Sequence, residues 1–574
     1  MRIKIIQWFF IGFLVAITVR LFYWQILQSD RLQAKAEGQH FAGSKIPAKR
    51  GDIYFSDGSV LASSQPVFSL FANPNILKGE QKSQLAKDLA KIFAGLDYQD
   101  PDQAKVHVQG VKEDLQLRLS ENLFWVPLRK NLNLELKDQI QKNFNIEGLG
   151  YEAGSSRFYP EGSSSAHLLG FVGSDAKGED TGYFGLEGYY DGELRGIPGF
   201  LKNEQDALGL PILMGNFFGS QPSNGKNLRL NIDRTVQYVV EQNLKAGIEK
   251  YGAKGASAVV MDPKTGAILA LASYPNYDPA AFGDYPRQYY RNPIVADQYE
   301  PGSTFKVLVM AAAVNEDVVK PDTKCDICAG PIQLGGFSIR TWNNQYYPDT
   351  TIKDVIVHSD NTGMVFTGRK LGLDKFYSYL ENFGLGNLTN IDLQDESSPD
   401  LRSKDSWREI DLATASFGQG IAVTPIQMVR AVAVIANGGY LMQPEVVREI
   451  KGEGATFTIK PKIVRQVIKK STADVIKEMM VAAVDEGEAR AFKPKGFKIA
   501  GKTGTAQIPV AGHYDPNKTI ASFIGFAPVD DPKFVMLVRY DQPSASIFGS
   551  ETAAPTFFAI AQQLFPYFKI APSE

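Results

Sequence analysis

Residues 5–27 constrain this chain before any other stretch does. After Met1-Arg2-Ile3-Lys4 comes an apolar run to Val19, an interruption at Arg20, and then Leu21-Phe22-Tyr23-Trp24-Gln25-Ile26-Leu27. As a helix the span reaches about 34 Å, enough to cross the hydrocarbon core of a bilayer. Arg20 then falls toward the outer interface, where its side chain can reach the headgroups beside Tyr23 and Trp24. The competing reading is a cleaved signal peptide, since residues 5–19 have signal-core length and Ala16-Ile17-Thr18 is small-x-small. Cleavage there leaves a mature start of large apolar residues, which favours an uncleaved anchor. With Arg2 and Lys4 ahead of the run, the amino end is expected in the cytoplasm. Everything after residue 28 is then expected outside it, in a single-pass protein of the plasma membrane.

At 574 residues the chain exceeds what one compact core holds, so several domains are expected. Its 61 basic and 63 acidic residues nearly cancel, and no nucleic-acid partner is expected. His40, His107, His167, His358 and His513 are scattered, with no metal-ligand spacing among them. Neither a metal, nor a cofactor, nor a histidine-dependent catalytic triad is expected. Cys325 and Cys328 form a single C-x-x-C with no further zinc ligands nearby and no βαβ setting. Outside the cytoplasm a short disulfide is the simpler reading, with free thiols as the alternative.

Residues 28–220 are polar and mixed in sign, with strand-like runs such as Val67-Phe68-Ser69-Leu70-Phe71 and an amphipathic helix through Leu85, Leu89, Ile92 and Phe93. No nucleophile there has an obvious base beside it, and a stalk or docking module is expected. Gln221-Pro222-Ser223-Asn224-Gly225 marks a boundary. Beyond it, Asp233 is placed to cap a helix bearing Val236, Val239, Val240, Leu244 and Ile248. Two hairpins follow, residues 256–272 and 522–538, with mostly helical segments between them and a last helix over 555–564. Strands at both ends of a domain with helices between them predict an antiparallel sheet flanked by helices.

Glu300-Pro301-Gly302-Ser303-Thr304-Phe305-Lys306 leads into the apolar residues 307–314. The pattern predicts a turn and then a buried helix starting near Ser303. Ser303 and Lys306, three apart, then share one helix face. A serine at a helix start with an amine in reach suits nucleophilic catalysis, because the amine can take the hydroxyl proton and the first-turn N–H groups favour an anion. Alone, S-x-x-K equally describes an ordinary helix start. Two further motifs follow: Ser359-Asp360-Asn361 at a turn, and Lys502-Thr503-Gly504-Thr505 on a strand-like stretch. Together, in this order, the three motifs mark penicillin-binding proteins and class A β-lactamases.

On these motifs the chain resembles the class B penicillin-binding proteins, membrane-anchored D,D-transpeptidases of peptidoglycan synthesis. The likeness extends through Arg50-Gly51-Asp52-Ile53-Tyr54, Arg157-Phe158-Tyr159-Pro160, Gly185-Leu186-Glu187-Gly188 and Phe417-Gly418-Gln419-Gly420 with Thr424-Pro425. It ends with Ser522-Phe523-Ile524-Gly525-Phe526. The resemblance implies an α+β multidomain protein. Its parts are a transmembrane helix over 1–27, an elongated mixed α/β pedestal of the dimerisation type over 28–220, and a serine β-lactamase-like transpeptidase domain over 221–574. It implies stem peptides ending in D-alanyl-D-alanine as substrates and β-lactams as covalent inhibitors. Partners would be a membrane-embedded glycan polymerase and other divisome or elongasome proteins, with a division role preferred to elongation.

By the same resemblance Ser303 is the nucleophile and Lys306, neutral, its base. Ser359 relays a proton to the leaving amine, while Asn361 positions Lys306 and the substrate amide. Lys502 is the cation that keeps Lys306 neutral. Lys502, Thr503, Gly504 and Thr505 form the terminal-carboxylate subsite, and the N–H groups of Ser303 and Thr505 form the oxyanion hole. Asp360 is read as structural. No glutamate-loop motif for deacylation stands between Asn361 and Lys502, which argues against a β-lactamase, and no glycosyltransferase module precedes the pedestal. Residues 330–344, with Trp342-Asn343-Asn344, match no family feature and are expected to shape the cleft rim or a partner surface. The rivals are a catalytically silent scaffold and a β-lactam sensor.

Overall fold

A computed structural model of the chain describes residues 2–29, 41–98, 100–204, 217–510 and 513–573. The amino-terminal run is helical over Arg2–Phe22 and widens into a π-type turn over Tyr23–Leu27. The span Ile5–Leu27 is long and apolar enough to cross a membrane, and none of it is buried against protein. His40 lies outside the described residues.

The chain falls into two compact units. The first takes in Met1–Arg50, Pro66–Ser156 and Arg195–Gly225, the second Gly51–Gln65, Arg157–Leu194 and Lys226–Glu574. In the first, helices Gly79–Asp97 and Pro101–Ser120 share one core with the strand Val126–Leu132. Leu85, Leu89 and Phe93 recur every fourth residue, so one face of the first helix is apolar and buries. Asp100 caps the second helix by accepting from Asp102 N, and Pro101 occupies its first position, where a missing N–H does no harm. A separate three-stranded sheet joins Phe41–Ile46, Gly199–Glu204 and Phe217–Ser220.

The second unit is built on a five-stranded antiparallel sheet. Its strands run, in spatial order, Ile268–Tyr274, Gly255–Met261, Phe534–Asp541, His513–Ala527 and Ala500–Val510. Register is fixed by pairs such as Ala258↔Val538 and Gly504↔Ser522. Alternate residues face opposite ways along a strand. Phe534, Met536, Val538 and Tyr540 therefore pack in one core with helices Arg234–Tyr251 and Ala553–Tyr567. Val535 and Leu537 join the other core, with helices Lys306–Asn315, Pro425–Ala436 and Lys470–Asp485. Both hairpins expected from the sequence are present, and Asp233 caps its helix by accepting from Thr235 N and Val236 N.

Three stretches far apart in sequence meet within this unit. Arg157 Nε donates to Glu187 Oε1 at 2.6 Å, and its Nη1 donates to Gly51 O at 2.7 Å. Both charged side chains are buried, at 4% and 0% exposure. Gly51 has no room for a side chain, since a Cβ there would lie 1.9 Å from Lys226 O. Cys325 and Cys328 are joined as a disulfide, and both are buried.

Candidate active site

Residues Gly302–Phe305 form one 3-10 turn that runs directly into the helix Lys306–Asn315. The turn is held from two sides. Gly302 N donates to Gly418 O at 3.1 Å, and Gly420 N donates to Glu300 Oε1 at 3.1 Å. Tyr514 OH also donates to the Glu300 carboxylate. Gly418 has φ +83°, and a Cβ on it would lie 2.1 Å from Gly302 O, so only glycine allows this approach.

The helix enters the core with a lysine in its first turn. Lys306 is fully buried, where a charged amine is unfavourable unless neutralised or paired. Its Nζ donates to Ser359 O at 2.6 Å and to Asn361 Oδ1 at 2.8 Å, and lies 3.3 Å from Ser359 Oγ. Burial, and then the charge of Lys502, pull its pKa down from the ordinary 10.5 to about 7; Asp360 and Glu488 act in the opposite direction.

Ser359 sits in the left-handed region at φ +56°, which lets its carbonyl and its side chain both face Lys306. Asp360 caps the helix Asn361–Leu371, its Oδ1 accepting from Thr362 N at 2.7 Å and Gly363 N at 3.3 Å. Asn361, the first helical residue, accepts from Lys306 and donates through Nδ2 to Arg340 O at 2.8 Å.

Lys502, Thr503, Gly504 and Thr505 lie on the edge strand Ala500–Val510, beside the 3-10 turn. Gly504 allows that approach, because a Cβ there would lie 2.8 Å from Thr304 Cγ2. Lys502 is buried, and its Nζ donates to Thr503 Oγ1 at 3.1 Å. Burial lowers its pKa, opposed by the Glu488 carboxylate. Thr505 Oγ1 accepts from Gly549 N at 3.1 Å.

Ser303, Ser359, Asn361, Thr503 and Thr505 all line one cleft of about 370 Å³. Lys306 and Lys502 lie behind that wall, hydrogen-bonded to residues that form it. The structure thus brings every residue singled out from the three motifs to one place, with Gly504 packed beneath. A larger hollow of about 540 Å³ in the first unit, near Tyr98, His107 and Arg118, gathers none of them.

Other groups at the cleft were not singled out as site residues. Trp342 lines it and packs edge-on against Phe548, with ring centroids 5.8 Å apart. It comes from residues 330–344, the stretch expected to shape the rim. Glu488 accepts from Thr503 Oγ1 at 3.3 Å. No sequence signal marks it, since it is one acid in a polar stretch. Glu300 and Tyr514 are likewise legible only as a contact between distant segments.

Two family models match the chain, the penicillin-binding protein dimerisation domain over residues 45–230 and the penicillin-binding protein transpeptidase domain over residues 256–562. Stage V sporulation protein D of Bacillus subtilis is 33% identical over 563 residues, covering 97% of this chain and 84% of that protein. Peptidoglycan D,D-transpeptidase FtsI of Escherichia coli is 30% identical, over 94% of this chain and 87% of its own length. Among solved structures, penicillin-binding protein 2X from Streptococcus thermophilus superposes with a TM-score of 0.73 at 25% identity, covering 92% of this chain and 80% of that one. With both domains matched and the relatives aligned over more than four-fifths of their length, the chain belongs to the class B penicillin-binding proteins.

Proposed function

We propose that the protein is a serine D,D-transpeptidase that cross-links peptidoglycan stem peptides and is acylated by β-lactams, with Ser303 as nucleophile. The observation that carries this reading is the placement of Lys306, buried and with its pKa drawn down to about 7, against Ser359 and Asn361 at the cleft wall. In the acylation step Ser303 Oγ attacks the carbonyl of the penultimate D-alanine, and its proton passes to the neutral Lys306 amine. The N–H groups of Ser303 and Thr505 receive the oxyanion. As the C–N bond breaks, the proton moves through Ser359 Oγ to the leaving amine, D-alanine departs, and the acyl chain stays on Ser303. In the second step an acceptor amine attacks the ester, gives its proton to Lys306, and Ser303 leaves with a proton restored. Lys502, Thr503 and Thr505 hold the terminal carboxylate, and Gly504 keeps their strand against the nucleophile's turn. Asn361 fixes Lys306, and Asp360 serves the site by capping the helix.

We place residues 1–27 as the anchor with its amino end in the cytoplasm, 28–220 as the pedestal and 221–574 as the transpeptidase domain, outside the membrane. The basic Arg2 and Lys4 ahead of the apolar run support the orientation. The similarity to peptidoglycan D,D-transpeptidase FtsI of Escherichia coli is consistent with a division role. The partners we propose, from the family resemblance, are a membrane-embedded glycan polymerase and other divisome proteins. Labelling with a fluorescent penicillin tests the enzymatic reading. Wild-type protein should label and the Ser303→Ala chain should not. Equal labelling of both, or none of the wild type, contradicts it.

A further inference from the structure

Glu488 has no part in the chemistry above, yet its carboxylate stands at the cleft wall beside the proposed carboxylate subsite. A hydrogen-bond relay connects the two. Lys502 Nζ donates to Thr503 Oγ1 at 3.1 Å, and the Thr503 hydroxyl donates to Glu488 Oε2 at 3.3 Å. With its one proton given to Glu488, the Thr503 hydroxyl has no donor to offer a carboxylate ligand while the relay stands.

The charged groups of the Lys306–Lys502 cluster come from three neighbouring elements besides the Lys502 strand. Lys306 belongs to the nucleophile's helix, Asp360 to the turn before the Asn361 helix, and Glu488 to the loop after the helix Lys470–Asp485. Of these, Glu488 is the acid that acts directly on Lys502. A buried ammonium needs a counter-charge. In the free enzyme Glu488 supplies it through Thr503. A substrate carboxylate entering the subsite would supply it instead and would take the Thr503 proton. Two carboxylates cannot share one hydroxyl proton, and like charges brought to one hydroxyl repel. Glu488 is exposed, so its side chain is free to turn toward solvent.

We infer that Glu488 is a positioning residue that, in the free enzyme, takes the Thr503 proton meant for the substrate's terminal carboxylate and yields it on binding. The ligand class is a carboxylate at the end of a peptide or on a β-lactam. This inference rests on Lys502 and Thr503 forming the carboxylate subsite.

The test is the acylation of full-length, detergent-solubilised protein by benzylpenicillin, followed across pH for wild type and Glu488→Gln. Two outcomes are expected. Without the counter-charge Lys502 loses its proton more readily, so the basic limb of the profile moves to lower pH. On the plateau between the acid and basic limbs the competing carboxylate is gone, so the half-saturating penicillin concentration falls about threefold to tenfold, the effect of one partly screened like-charge contact, while the limiting acylation rate on that plateau stays the same. A basic limb that does not move, or a half-saturating concentration that is unchanged or higher, overturns the inference. Melting temperatures of the two proteins verify the fold, and a purely structural role for Glu488 would move neither kinetic quantity. Failure here leaves the proposed function standing so long as Ser303→Ala alone abolishes labelling.

Discussion

A lysine shut away from water keeps its charge only beside an acid, and the hydrogen-bond partners of Lys306 are a carbonyl, a hydroxyl and an amide. Its pKa near 7 therefore follows from burial first and from the Lys502 charge second. The consequence for rate has a definite sign. Acylation uses the unprotonated amine, so its rate should rise about tenfold per pH unit below pH ~7 and then level off, until at higher pH the loss of the Lys502 proton brings in a basic limb. A profile that stays flat from about pH 5.5 to pH 8 would contradict the base role. These residues were legible in the sequence because three short patterns stand in one order, each weak by itself. Glu488 was not legible. Its place comes from a threonine hydroxyl 3.3 Å away on the edge strand Ala500–Val510, and nothing in the spacing of residues 488 and 503 announces that contact.

At the scale of elements, the site depends on how closely the 3-10 turn can approach its neighbours. Gly418 and Gly504 are the two positions where a side chain would intrude, the first against Gly302 O and the second against Thr304. Gly418→Ala must strain a backbone at φ +83° and push the Ser303 turn away. We expect a loss of about 1–3 kcal/mol from the backbone alone, read as a lower melting temperature, and penicillin labelling at least about tenfold slower. Unchanged labelling would mean that the turn does not depend on this contact. Helices with a clear apolar face were readable in advance. The face of Gly79–Asp97 buries Leu85, Leu89 and Phe93. Its neighbour Pro101–Ser120 buries only Leu115 and Leu119, so its pattern is too thin to stand out, and packing decides it.

At the scale of the whole molecule, sequence order and compactness part company. Residues 51–65 and 157–194 belong to the same compact unit as the transpeptidase sheet, although they precede residue 221. Pairings such as Leu228↔Ile53, parallel and distant in sequence, leave no mark in local periodicity. The buried pair Arg157–Glu187, with Gly51 O as third member, holds these segments together. Removing one partner leaves a buried charge uncompensated, so Glu187→Ala should cost about 3–5 kcal/mol. A double change to apolar residues of similar volume should cost less than the single one. Thermal unfolding of the two variants compares them, and equal or smaller loss from Glu187→Ala would show that the pair is not what binds the segments. The claim on which the whole account rests is that Ser303 carries the acyl group. Peptide mapping by mass spectrometry after benzylpenicillin treatment tests it directly: the account predicts a penicilloyl adduct on Ser303 and on no other residue, and an adduct elsewhere, or none, would contradict it.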